Sequence, residues 1–166
     1  MIKAGIVGYG YWGPNLARNF NSNPNFDLVA IADRDEKRRL MAAQHFPHVK
    51  VSAAAEEITR SPEIDVVAVA TPVSSHFALA MQALENGKHV WIEKPITASS
   101  AEAAQIAEKA GQLNRVVMVD HTYLFTGSVR KMKEYVGGGQ LGDLYYYDSV
   151  RVNLGLFQHD VNVIWD

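Results

Sequence analysis

Five short apolar runs recur through the first 120 residues: Lys3–Val7, Leu28–Ala32, Val66–Ala70, His89–Ile92 and Val116–Val119. Each is rich in β-branched residues and lacks polar alternation, which is the pattern of strands covered on both faces. Between them, apolar positions recur at helical spacing over Trp12–Phe20, Asp35–Phe46, Ser74–Asn86 and Ala101–Leu113. Ser74 and Ser99 stand where N-caps belong, and Gly87 and Asn114 follow helix ends as C-terminal caps do. Strand and helix alternating in this way predict a doubly wound α/β fold, a parallel sheet with helices on both sides.

The pattern changes after His121. Residues Ser128–Val136 read as one more helix, broken by Gly137-Gly138-Gly139. Residues Leu144–Asn153 then alternate like a strand, with Tyr145 and Tyr147 on one face and Tyr146 on the other. An aromatic face of this kind suits sheet packing or a subunit interface. So short a tail cannot bury Tyr145, Tyr146, Tyr147, Phe157 and Trp165 by itself. The expected organisation is therefore a domain over residues 1–121 and the truncated start of a second, α/β domain over 122–166.

Composition narrows the function mainly by exclusion. The formal net charge is -2, so no global field draws the chain to nucleic acid or an anionic membrane. No cysteine is present, which removes thiolate nucleophiles and sulfur-based zinc sites. No apolar run approaches the ~18 residues of a membrane span, and the first residues show no cleavage-site pattern. A cytoplasmic protein is expected. Pro47 separates His45 from His48, and no carboxylate stands at ligand spacing, so no metal site is expected. Glu36–Arg39 reads as the solvated face of a helix and His89 as a core histidine.

The chemistry gathers after the strands. Gly8-x-Gly10-x-x-Gly13 directly follows the first strand and opens the first helix, and Asp33 closes the second strand. In that context the glycines permit a tight turn, close approach to a pyrophosphate and close packing of helix on strand. Backbone N–H groups near Tyr11 and Trp12 would meet the phosphates at a helix N-terminus. Asp33 would accept the ribose hydroxyls, favouring NAD. Arg34 could pair with a 2′-phosphate, which leaves NADP open. Ligands of doubly wound sheets lie outside the strands' carboxyl ends. The residues found there are Thr71-Pro72, with His76 just beyond, then Glu93-Lys94-Pro95, and then Asp120-His121.

These motifs together resemble the Gfo/Idh/MocA oxidoreductases, with Glu93-Lys94-Pro95 the most telling, and the likeness extends over essentially the whole chain. The resemblance implies a Rossmann domain binding NAD or NADP, followed by an open-sheet domain that binds a sugar or polyol and commonly oligomerises. It implies that Lys94 hydrogen-bonds the substrate hydroxyl and moves its proton, a role that asks for a proton affinity matched to the working pH. Glu93 would orient cofactor or lysine, and Pro95 would be cis. Thr71, Pro72, His76 and His121 would line the cofactor edge. Asp166 matches the family's second-domain aspartate, whose histidine partner four positions later falls past residue 166. The chain alone is therefore expected to be inactive. Wording around Gly10–Leu16 and Asp160–Asp166 resembles members associated with nucleotide sugars. The alternative is a dinucleotide-binding module that senses or scaffolds without chemistry; the absent histidine favours it and Glu93-Lys94-Pro95 opposes it.

Overall fold

The computed structural model describes residues 1–150. Asp166, Phe157, Trp165 and the whole of Asp160–Asp166 lie outside the described residues, as do residues 151–153 of the expected tail strand. Met1–Asp120 form one compact unit, and a second begins at His121.

The first unit holds six strands: β1 (Ile2–Val7), β2 (Phe26–Ala32), β3 (Lys50–Ser52), β4 (Val66–Val69), β5 (His89–Ile92) and β6 (Val117–Val119). They form a single sheet in the order β3-β2-β1-β4-β5-β6, and every pairing is parallel. This is the expected doubly wound fold, with one strand more than the sequence pattern suggested. The extra strand, β3, has only three residues and closes an edge by pairing with Ala30–Ala32. Its identity depends on that neighbour, because three residues carry no periodicity of their own.

Alternate strand residues feed two cores. Ala4, Ile6, Val66 and Ala68 face α1 (Gly13–Ser22) and α2 (Glu36–His45), where Leu16, Ala17, Phe20 and Ala42 are buried. Val7, Val67, Val69, Val90 and Ile92 face the opposite way. They meet Ile58 of α3 (Glu56–Thr59), Ala80, Ala83 and Leu84 of α4 (His76–Glu85), and Ile106 and Ala110 of α5 (Ser100–Gln112). Each fully buried aliphatic side chain contributes ~1.5–3 kcal/mol relative to exposure, so both faces must be covered for the central strands to persist.

Helix ends follow local chemistry, with one adjustment. Asp35 caps α2 by accepting from the N–H groups of Lys37 and Arg38. Gly87 (φ +76°) and Asn114 (φ +53°) take the left-handed conformation just after α4 and α5, as their sequence positions implied. Ser74 does not cap α4. It lies in a 3₁₀ turn, Val73–Ser75, that precedes the helix, because Pro72 holds the chain extended there (ψ 145°).

The second unit contains a 3₁₀ turn at Thr122–Phe125 and α6 (Gly127–Gly137). Residues 144–150 carry no regular structure, in contrast to the strand suggested by their alternation. A strand is defined by a hydrogen-bonded neighbour, and none pairs with them among the described residues. Tyr145, Tyr146 and Tyr147 are exposed. Among the described residues no helix is long and apolar enough to cross a membrane.

Candidate functional site

The parallel register draws five strand ends level. Val7 pairs with Ala32 and Val69, Val69 with Ile92, and Ile92 with Val119. The next residues are hung from their neighbours by backbone bonds: Gly8 N–H to Ala32 O (2.8 Å), Ala70 N–H to Val7 O (2.8 Å), Glu93 N–H to Val69 O (3.0 Å) and Asp120 N–H to Ile92 O (2.8 Å). Asp33 is held likewise by Ser52 O at 3.1 Å. The sheet order reverses between β1 and β4, which is where an open α/β sheet leaves a ligand crevice. From Asp33 to Glu93 is three strand spacings, about 14 Å at ~4.8 Å each, a span that suits an extended dinucleotide.

The glycine loop divides its labour. Gly8 has φ +99°, and a Cβ there would lie 2.5 Å from Ala70 O. At Gly13 a Cβ would lie 2.5 Å from Gly8 O, so α1 starts against the strand it follows. Gly10 differs. Its Cβ would meet nothing of the protein but the Arg38 guanidinium, at 3.4 Å. Packing does not demand a glycine there, which leaves the backbone open to close approach from outside. The start of α1 beside it has no side-chain cap and no acidic residue in its first turn, and Pro14 enters at its beginning. Its free N–H groups and the positive end of the helix dipole are unclaimed by side chains, as a phosphate site requires. Tyr11 and Trp12 stand exposed around this opening in edge-to-face contact, with centroids 5.2 Å apart. The residues therefore fit a bound pyrophosphate. Tyr9, which sequence reasoning passed over, is buried, and its hydroxyl meets His45 Nδ1 at 3.2 Å.

Asp33 is buried and fixed. Its carboxylate accepts from Tyr9 N–H (2.6 Å) and Asp35 N–H (2.8 Å), and about two further lone-pair positions remain for ribose hydroxyls. The helix face read as merely solvated returns two arginines to this point. Arg39 Nη1 donates to Asp33 O (3.0 Å) and Arg34 O (2.8 Å), clamping the turn, while Arg38 Nη1 stands 3.7 Å from Asp33 Oδ2 with half its side chain exposed. Arg34 itself is exposed. Arg38 thus lies between the acid and Gly10. Its signal was its place in the first turn after Asp33, visible only once that turn's direction is known.

The other end of the row joins two loops through His76. This fully buried ring faces Thr71 O at 2.7 Å through Nε2 and Pro95 O at 3.0 Å through Nδ1. It braces Thr71-Pro72 against Glu93-Lys94-Pro95, whose Lys94–Pro95 peptide is cis. Ser75 Oγ adds bonds to Thr71 Oγ1 (2.7 Å) and Pro72 O (2.8 Å). Lys94 is half-buried.

Glu93 is 7% exposed, and its Oε1 has no hydrogen-bond partner. Burial pushes its carboxyl up to about 7. The charge of Asp120 and the hydrogen bond between the two carboxyls contribute to that rise, against the opposing pull of the Lys94 N–H and ammonium. A carboxyl raised from 4.5 keeps, in the folded chain, a proton that the unfolded chain has lost. Folding therefore loses stability as pH rises from about 4.5 to about 7. Asp120 belongs to the first unit; His121 opens the second, exposed, at the head of the Thr122–Phe125 turn. His89, as expected, is committed to the fold, accepting from Val116 N–H at 3.0 Å.

Sheet order, glycine loop and buried acid define a Rossmann domain for a dinucleotide. Residues 2–121 match the Gfo/Idh/MocA family, described as an oxidoreductase family with an NAD-binding Rossmann fold, and the chain belongs to that family. It is 32% identical over 151 residues to an uncharacterized oxidoreductase of Streptococcus pneumoniae, covering 91% of this chain and 40% of that protein. It is 29% identical over 147 residues to a scyllo-inositol 2-dehydrogenase (NAD(+)) of Bacillus subtilis, covering 88% and 43%. Among solved structures, an NAD-binding protein from Listeria innocua superposes with a TM-score of 0.77 at 30% identity, covering 86% of this chain and 42% of that one. The chain thus spans about two fifths of the length of the proteins it matches.

Proposed function

We propose that this chain is the cofactor-holding part of an NAD(P)-dependent dehydrogenase acting on a secondary alcohol of a sugar or cyclic polyol, or on the matching ketone. The observation that carries the cofactor half is Gly10, a glycine that nothing inside the protein requires, beside an uncapped helix start and a buried Asp33. Gly8, Gly13 and the N–H groups near Tyr11 and Trp12 hold the pyrophosphate, and Asp33 holds the adenosine ribose. The nicotinamide half then runs towards Thr71, Pro72, Glu93 and Lys94. When bound, the nicotinamide supplies or accepts the hydride. Lys94 holds the substrate hydroxyl and passes its proton, while His76 fixes the loop that presents Lys94. The Bacillus subtilis relative's name supports a cyclic polyol; a nucleotide-linked sugar is the narrower possibility raised by the sequence around Gly10–Leu16. His121 onward begins the substrate domain, whose remainder would cover the exposed Tyr145–Tyr147 and supply the subunit contacts of a homo-oligomer. Asp166 would contribute to catalysis from that domain.

The direct test titrates the chain with NADH and, separately, NADPH, following tryptophan quenching and energy transfer from Trp12. Saturable quenching is expected. A folded chain that binds neither overturns the cofactor assignment. The same titration on Arg38→Ala weighs Arg38 against Arg34. Loss of a charge-assisted hydrogen bond costs about 1.5–3 kcal/mol, roughly tenfold or more in affinity. NADPH should lose that much and NADH less than about threefold. An unchanged NADPH affinity would return the 2′-phosphate to Arg34.

A further inference from the structure

Glu93 and Asp120 are neighbours by register, each one residue beyond the paired Ile92 and Val119, and Asp120 N–H binds Ile92 O at 2.8 Å. Glu93 is more than nine-tenths buried, and its Oε1 is left without a hydrogen-bond partner. The other ionisable groups around it in this unit are Lys94 on its own loop and His76 on α4. Both ring nitrogens of His76 face backbone carbonyls, Thr71 O and Pro95 O, and not the acids. Two carboxyls placed side by side, one of them desolvated, do not both ionise readily. An orphaned buried oxygen at the edge of a ligand crevice also marks a group that gains a partner when the crevice fills.

We propose that Glu93 and Asp120 share one proton and release it to solvent when an oxidised, cationic nicotinamide seats at this end of the row. The carboxyl pair thereby senses the redox state of the cofactor. The inference rests on the reading that the nicotinamide half lies over β4 and β5. The sign follows from electrostatics. A positive ring beside the pair stabilises the carboxylate, so NAD⁺ binds the deprotonated form more tightly. The neutral ring of NADH gains nothing from ionisation. Raising pH therefore tightens NAD⁺ and leaves NADH almost unchanged. The O–H bond of the shared proton breaks and the proton passes to water, up to one for each NAD⁺ bound below the midpoint of the free chain.

The test measures binding of NAD⁺, NADH and ADP-ribose to the chain at pH 6, 7 and 8, alongside a ¹³C NMR titration of the Glu93 carboxyl without cofactor. With a midpoint of about 7, the NAD⁺ Kd is expected to fall about tenfold from pH 6 to pH 8 by linkage. NADH and ADP-ribose, which lack the positive ring, should change less than about twofold. Glu93→Gln should bind NAD⁺ with the pH dependence gone. Asp120→Asn, which retains the Glu93 carboxyl, should lower its NMR midpoint. Should Glu93→Gln fail to fold, the NMR midpoint and Asp120→Asn still decide. A Glu93 midpoint at or below 5, a flat NAD⁺ profile, or a slope that survives Glu93→Gln overturns the inference while leaving the cofactor assignment standing. Failure of all three ligands to bind a folded chain overturns both.

Discussion

Gly8→Ala destabilises the chain by about 2–6 kcal/mol, and cofactor binding falls with it. Two costs add. Alanine at φ +99° occupies a conformation that L side chains rarely adopt, worth about 1–3 kcal/mol. The added Cβ would also lie 2.5 Å from Ala70 O, 2.6 Å from Ala70 C and 2.9 Å from Thr71 N. All three are backbone atoms, and Ala70 is tied by its N–H to Val7 O at 2.8 Å, so nothing nearby can swing away. Forced overpacking of this kind costs about 1–3 kcal/mol more. Urea unfolding measures the loss directly. Gly10→Ala is the contrasting variant: its only close neighbour is the end of the flexible Arg38 side chain, so stability should move by less than about 1 kcal/mol while affinity for NADH drops. Equal unfolding midpoints for the Gly8 variant and the parent would contradict the strained turn.

Lys94→Ala has the largest expected effect on chemistry. In the intact protein, turnover should fall by about 10²–10⁴, the usual contribution of a positioned general acid–base, with NADH affinity held within a few-fold. Steady-state rates and a binding titration on the same preparation separate the two quantities. Lys94→Arg should rescue little, because a guanidinium keeps its proton across the working range. Normal turnover by either variant would remove Lys94 from the chemistry.

The fold was legible where a residue's meaning is local. Gly8, Gly10 and Gly13 take their sense from the strand before and the helix after them, and Asp33 from its place at a strand end. The buried strands of the sheet announce themselves by continuous apolar runs. What stayed hidden depended on neighbours distant in sequence. Lys50–Ser52 becomes a strand only beside Ala30–Ala32. Arg38 looks like a solvated residue on α2 until the turn at Asp33 brings it back over Gly10. Glu93 was read as orienting cofactor or lysine, and its adjacency to Asp120 emerges only from the pairing of Ile92 with Val119. The alternation in Leu144–Asn153 misled for the converse reason: a period of two describes a surface able to pair, and residues 144–150 show no such pairing.

The row of strand ends also bears on how such a site survives divergence. Gly8, Asp33, Ala70, Glu93 and Asp120 are each fixed by a backbone N–H bonded to the adjacent strand, a bond indifferent to most side chains. Helix surfaces and the loops at the opposite edge can drift without displacing any of the five, provided the strands keep their pairing. A lineage can then replace most of its letters while inheriting the same spacing between an acid, a glycine turn and a lysine loop. The 0.77 superposition at 30% identity is what inheritance through backbone bonds, and not through side-chain identity, would leave behind.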